Sequence, residues 1–209
     1  MKHFSLEDIL SSASDYRRGL INSLSGYKSL NLIGSRSKDG KTNLAPFSQV
    51  FHIGATPPLV GILFRPHTVI RHTFENILET GSFTLNHVTE EFYQQAHQTA
   101  ARFEDSEFAG TGLEEEYLEG FHAPFVKNSP VKVACKLAER HTLQINGTEL
   151  IIGAIQHIWV DEKGLRADGS LDLNSLGTVT VSGLDEYHVG QRLGRLSYPK
   201  PGKPLEILE

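Results

Sequence analysis

The sequence predicts a mainly β protein, an antiparallel barrel decorated by a few helices. Three observations predict it. Short apolar runs spaced by turn residues dominate the chain, and few stretches carry helical periodicity. An Asp39-Gly40 pair joins two of the runs, and glycine tolerates the positive φ that a hairpin turn needs. Two long stretches, Val131 to Ile145 and Leu150 to Val160, read as extended strands.

The elements follow in order. Ser5 with Asp8 three residues later resembles the capped start of a short N-terminal helix. Leu30, Leu32 and Ile33 form a strand that leads into the charged turn Lys38, Asp39 and Gly40. Pro57 and Pro58 introduce a second run, Leu59 to Phe64. A helix is predicted after Thr73, and Gly81 suits the left-handed position just past its end. Phe83 and Leu85 alternate with Thr84 and Asn86, as in a strand. Residues 89–103 are predicted helical, with Phe92, Ala96, Ala100 and Phe103 on one side. Residues 104–130 form an excursion rich in glycine and acid. The stretch Tyr198 to Lys203, with Pro199, Pro201 and Gly202, predicts an extended tail, either disordered or laid across a partner subunit.

Composition bounds the function. A chain of 209 residues can bury one good core or two small ones. With 39% apolar and 22% charged residues it fits a soluble globular protein. No run approaches the roughly 20 apolar residues of a membrane span. Residues 1–15 are mixed and acidic, unlike a secretory signal. Cys135 is the only cysteine, so no intrachain disulfide can form, and a reducing cytoplasm is the simplest location. It alternates with Val131, Val133 and Leu137, which predicts a buried, inert thiol. The net charge is −5, and seven acids fall between Glu104 and Glu119 without a single base. This argues against a nucleic-acid surface and predicts a solvated loop or helix face.

Function is most legible in residues 35–48, S-R-S-K-D-G-K-T-N-L-A-P-F-S. After the turn come small and polar residues with one proline, which cannot donate to a ladder. Such a segment can present backbone groups to a flat polar ligand, or its Asn and Ser can serve local turns. The nearby Gly34, Gly40, Lys41 and Thr42 nearly spell a phosphate loop of nucleotide hydrolases. Five residues separate the glycines where that loop needs four, and Pro46 would break the helix that must follow. A second constellation is R-P-H-T-V-I-R-H-T-F-E-N at residues 65–76. Arg65, Arg71, His72, Thr68 and Thr73 cluster where a helix should begin, and helix N–H groups, guanidinium and hydroxyls together make a phosphate site.

The series D-G-K-T-N-L-A-P-F-S, P-P-L-V-G-I and R-H-T-F-E-N-I-L-E-T-G-S-F-T-L-N resembles the flavin reductase-like family, in the family's order, from about Leu30 to Asn86 and more loosely to about Val160. The resemblance implies an FMN-binding split barrel spanning 1–209, with its core at about 25–165 and a C-terminal extension at 166–209. It implies a homodimer that binds FMN, or FAD, near the subunit interface. It further implies hydride transfer from NADH or NADPH to flavin, with reduced flavin serving a partner oxygenase. Carried over by residue, Asn43, Leu44, Ala45, Pro46, Phe47 and Ser48 lie along the isoalloxazine, while Arg71, His72, Thr73 and Asn76, with Arg65, lie on the phosphate side. Relatives carry a Gly-Asp-His-like triplet near the nicotinamide side. Here Gly147, Thr148 and Glu149 stand in that place. His141, six residues before Gly147, is a candidate substitute, as against an ordinary strand histidine. The flavin performs the chemistry, no general acid or base is required, and no catalytic residue is named. A non-enzymatic FMN electron carrier or flavin sensor is the main alternative. An oxidase on the related barrel has no substrate-specific support. A metal hydrolase lacks ligand spacing, since His67 and His72 are five apart and no H-E-x-x-H occurs. No metal, nucleic-acid or membrane partner is predicted.

Overall fold

Alternating β-branched and aromatic residues, stopped by Gly and Pro, set the strands. A computed structural model of the chain describes residues 1–208. It begins with helices α1 (Leu6–Ser11) and α2 (Ser14–Ser23) and the short strand β1 (Lys28–Ser29). The hairpin β2 (Asn31–Arg36) and β3 (Thr42–Phe47) follows, then β4 (Val50–Ala55) and β5 (Pro58–Phe64). Helix α3 (His72–Thr80) leads into β6 (Ser82–His87). Helix α4 (Tyr93–Gln98) precedes the acidic excursion, which holds α5 (Glu107–Thr111) and the two-residue strands β7 (Glu115–Glu116) and β8 (Phe125–Val126). The long hairpin β9 (Val131–Leu143) and β10 (Thr148–Val160) precedes β11 (Val179–Ser182), β12 (Glu186–Val189), β13 (Arg195–Leu196) and β14 (Ile207–Leu208).

One antiparallel sheet of seven strands runs in the order β3-β2-β6-β9-β10-β5-β4. Its two end strands, β3 and β4, are separated in sequence only by Ser48 and Gln49. The sheet therefore curls until its edges meet at that corner, with no ladder between them, which is a barrel with an open seam. This is the mainly β, antiparallel architecture with a few peripheral helices that the sequence predicts. β2 is buried along five consecutive residues because it has a core on each face. Ile33 joins Phe64, Phe74, Phe83 and Ile151 on one side. Leu32 joins Leu44, Phe92 and Val179 on the other.

Local signals explain several boundaries. Ser5 and Asp8 form the capping box of α1. Gly81 takes φ 64° and ends α3 as the left-handed residue that the sequence predicts. Cys135 is fully buried, and burial pushes its thiol up to about 12, so it is inert. No helix among the described residues is long and apolar enough to cross a membrane.

Two expectations change. The helix predicted over 89–103 is only α4. Thr89 instead bridges to Thr178, and Phe103 packs where a side chain on Gly110 would stand, so both ends of that stretch serve other neighbours. The Tyr198–Lys203 tail turns back on itself. Lys203 N–H donates to the Lys200 carbonyl across Pro201-Gly202, Gly202 has φ 73°, and β13 pairs with β14. Thr84 and Asn86, which the alternation makes the polar face of β6, are both fully buried. They are satisfied internally: Thr84 donates to the Pro124 carbonyl at 2.6 Å, and Asn86 accepts from Val126 N–H at 2.9 Å.

Candidate functional site

The β2–β3 hairpin turns through residues 37–41, where Gly40 has φ 87° and donates to the Ser37 carbonyl. Its register sets Ser35 opposite Asn43, so both side chains leave the same face. Helix α3 lies across that face. Thr73 and Asn76, three residues apart, share one side of the helix. The Asn43 amide donates to Thr73 Oγ1 at 2.8 Å, and the Asn76 amide donates to Ser35 Oγ at 3.1 Å. All four side chains are buried. A polar patch thus ties the segment after the turn to the first turns of α3, joining the two stretches that the sequence singles out.

The rest of β3 divides by face. Phe47 stacks edge-on against Phe64 at 4.8 Å, and Phe64 packs on Phe74 at 5.2 Å, so the strand is anchored from below by aromatic packing. Leu44 points to the opposite core and is fully buried. Its N–H donates outward to Glu107 Oε2 at 3.0 Å. β3 is an edge strand, and in an antiparallel ladder alternate residues turn their N–H and C=O groups outward. Pro46, two residues on, has no N–H to offer there. Its outward carbonyl, half-buried Ala45 and half-buried Ser48 make up the remaining edge.

The start of α3 has the chemistry of an anion site. The first N–H groups of a helix have no intrahelical acceptor, and here the N-cap side chain does not cap them. Arg71 stands at the N-cap position with extended backbone, and its Nε is buried with no partner among the described residues. Such a donor costs free energy unless a ligand accepts from it. Among the described residues the guanidinium is otherwise held only by a long contact, Nη2 to the Pro66 carbonyl at 3.5 Å. His72 and Arg65 are exposed. An uncapped helix end, a buried guanidinium N–H and the Asn43–Thr73 pair form a cradle suited to a phosphate monoester. The residues present fit a flavin nucleotide on that ground.

Glu149 is buried, and Arg140 forks onto it through Nε at 3.0 Å and Nη2 at 2.8 Å, with Thr142 Oγ1 donating at 2.9 Å. The Arg140 hydrogen bonds hold the carboxyl below its usual range. The Arg140 guanidinium lies 5.1 Å from the Phe74 ring, and His67 stacks on Phe74 at 5.0 Å. The pair therefore borders the α3 start. His141 pairs across the ladder with Leu150, on the strand face opposite Glu149, and bonds Glu139 at 2.7 Å. It does not take the place of a histidine at position 149.

Sequence reasoning missed Ser35, Glu107, Arg140 and His67. Register could have found Ser35, since a hairpin with a five-residue turn sets it opposite Asn43. Nothing local could have found Glu107, which lies 63 residues from Leu44. The acidic run is correspondingly less free than a solvated face. Glu115 accepts from Thr42 at 2.6 Å, and Glu114 and Glu116 pair with Lys127 and Lys132.

Because Asn43 is buried and bonds Thr73, its removal should act on the apo fold. Asn43→Ala is expected to lower apo stability by about 1–3 kcal/mol, the cost of leaving a buried hydroxyl without its partner. Flavin affinity should fall further than this loss explains. Thermal melts of the apo protein beside flavin titrations check both. An unchanged apo melting temperature would remove the structural role.

Residues 28–174 match the flavin reductase like domain, and the chain belongs to that family. A crystal structure described as a candidate flavin reductase with a split barrel domain, from Shewanella frigidimarina NCIMB 400, is 50% identical and superposes with a TM-score of 0.92 over 95% of this chain and 100% of that one. Nitrilotriacetate monooxygenase component B from Bacillus cereus has the same fold at 21% identity, TM-score 0.79, covering 92% of this chain and 98% of that one. An uncharacterised Aquifex aeolicus protein is 33% identical over 109 residues. That match takes in 50% of this chain and 56% of the relative, so the chain spans little more than half the length of that relative.

Proposed function

We propose that the protein is an NAD(P)H-dependent flavin reductase that binds FMN, with FAD as the larger alternative, and passes reduced flavin to an oxygenase. The observation that carries this reading is the buried, partnerless Nε of Arg71 at the uncapped start of α3, beside the Asn43–Thr73 pair. Arg71, Thr73 and the first α3 N–H groups hold the phosphate, with Arg65 and His72 as exposed cations at the rim. Asn76 fixes the helix against Ser35. Asn43 Oδ1, the outward carbonyl of Pro46, and Ala45 and Ser48 line the isoalloxazine, with Phe47 supporting the strand and Leu44 turned to the opposite core. Bound flavin supplies the hydride acceptor. The protein would orient a dinucleotide donor against it and keep the edge groups fixed. The oxygenase partner is suggested by the name of the Bacillus cereus neighbour and by the family resemblance. A cytoplasmic location fits the lone buried thiol.

A second reading, an FMN electron carrier, is favoured by one observation: Glu149, which the resemblance sets where reductases carry a histidine, is tied up in an ion pair with Arg140. Anaerobic addition of NADH and of NADPH to the flavin-loaded protein separates the two. Loss of the yellow colour with either dinucleotide is the expected result. A loaded protein that stays oxidised with both rejects the reductase.

The reading includes a homodimer. Neither α1 nor α2 buries a residue in its own chain, and helices of 6 and 10 residues are marginal without tertiary packing. Sedimentation should give a species of twice the chain mass at micromolar concentration. A single-chain species there would contradict the dimer.

A further inference from the structure

A cavity of about 560 Å³ opens at the far end of the β9–β10 hairpin. β10 passes Glu149 beside α3 and reaches this cavity ten residues later at Trp159, roughly 30 Å of strand away. The volume falls in the range of small-molecule sites. Nothing in the flavin reading uses it.

Its lining has an unspent set of groups. Thr89 lines the cavity, is 7% exposed, and its Oγ1 has no hydrogen-bond partner among the described residues. Trp159 forms a wall and is braced edge-on by Phe125 at 5.1 Å. The three lining lysines are each neutralised: Lys127 lies 2.5 Å from Glu114, Lys132 pairs with Glu116, and Lys163 lies 3.2 Å from Asp161. Glu90 and Glu91, also in the lining, have no ion-pair partner among the described residues. The cavity therefore carries two unbalanced carboxylates beside a fixed indole and an orphan hydroxyl.

We propose that this cavity binds a small free organic cation, an amine or alkylguanidine. Glu90 and Glu91 would draw it in, the Trp159 face would meet the charge, and the Thr89 hydroxyl oxygen would accept an N–H. An anion would face both carboxylates with every lysine already paired. A neutral apolar ligand would leave the Thr89 hydroxyl unsatisfied.

Trp159 is the only tryptophan, so its emission reports this site alone. The test titrates the purified full chain with agmatine, against glutarate and against sodium chloride at matched ionic strength. A saturable change in emission with agmatine only is expected. The Glu90→Gln, Glu91→Gln double variant should raise half-saturation about tenfold, as the loss of two partly exposed charge contacts implies. Thr89→Val should raise it less. Both glutamates are exposed, so the melting temperature should hold, and each single variant provides a milder version if it does not. No saturable change, an equal response to glutarate or salt, or unaltered binding in variants that fold would overturn the proposal.

Discussion

Gly34→Ala is expected to destabilise the protein by about 3 kcal/mol or more, at the upper end of what overpacking costs. A Cβ at this position would stand 2.1 Å from the Pro124 carbonyl oxygen and 2.6 Å from Thr84 Oγ1. The first is backbone and cannot swing away. The second is the hydroxyl that donates to that same carbonyl, so moving either atom also loses a buried hydrogen bond. The crossing chain at Pro124 lies against β2, one residue from Ser35 and opposite Leu44, and distortion there reaches the polar patch under α3. For a chain of this size the loss corresponds to a fall of roughly 6–12 °C in melting temperature. Gly19→Ala makes the same chemical change within α2, where a Cβ meets nothing within 4 Å. It should be neutral or stabilise by about 0.5–1 kcal/mol, because alanine is the better helix former. Melts of both variants check the pair. A Gly34→Ala protein that melts within a degree of wild type would contradict the packing.

Arg71→Ala is expected to weaken FMN binding by about 1.5–3 kcal/mol, the range for hydrogen bonds to a charged group, or roughly 10- to 150-fold in Kd. Riboflavin has no phosphate and should be nearly indifferent. The apo protein should not lose stability through this hydrogen-bonding group, because the buried Nε is unsatisfied before flavin binds. Arg71→Lys should restore only part of the affinity, since a point charge does not reproduce the guanidinium fork. Equal losses for FMN and riboflavin would remove Arg71 from the phosphate.

The strands were legible because alternation and turn residues are local. The β2–β3 hairpin, β5, β6, β9, β10 and the Gly81 stop of α3 all follow from neighbouring residues. β4 was not legible. Its apolar Phe51 and Ile53 are exposed, and a bulge between His52 and Gly54 breaks its pattern. The shortening of the 89–103 helix depends on Thr178 and Gly110, which no local period reveals. At the site, residue types and their order pointed to both halves, but the Asn43–Thr73 and Ser35–Asn76 bonds that join them are products of sheet register. The partner of Leu44 N–H, Glu107, comes from a run whose composition indicated only solvent. Glu149 was legible as a departure from the family pattern. That it is a buried ion pair was not, because its partner Arg140 lies diagonally across the ladder.

The central claim is that the α3 start and the edge of β3 hold one flavin nucleotide per chain. The most direct test is an equilibrium titration of the apo protein with FMN, followed through the flavin's own fluorescence, for wild type and Arg71→Ala. The account predicts saturable binding at one FMN per chain in wild type, and a Kd raised at least about tenfold in the variant. Absence of saturable FMN binding in a wild-type protein that melts cooperatively would contradict it.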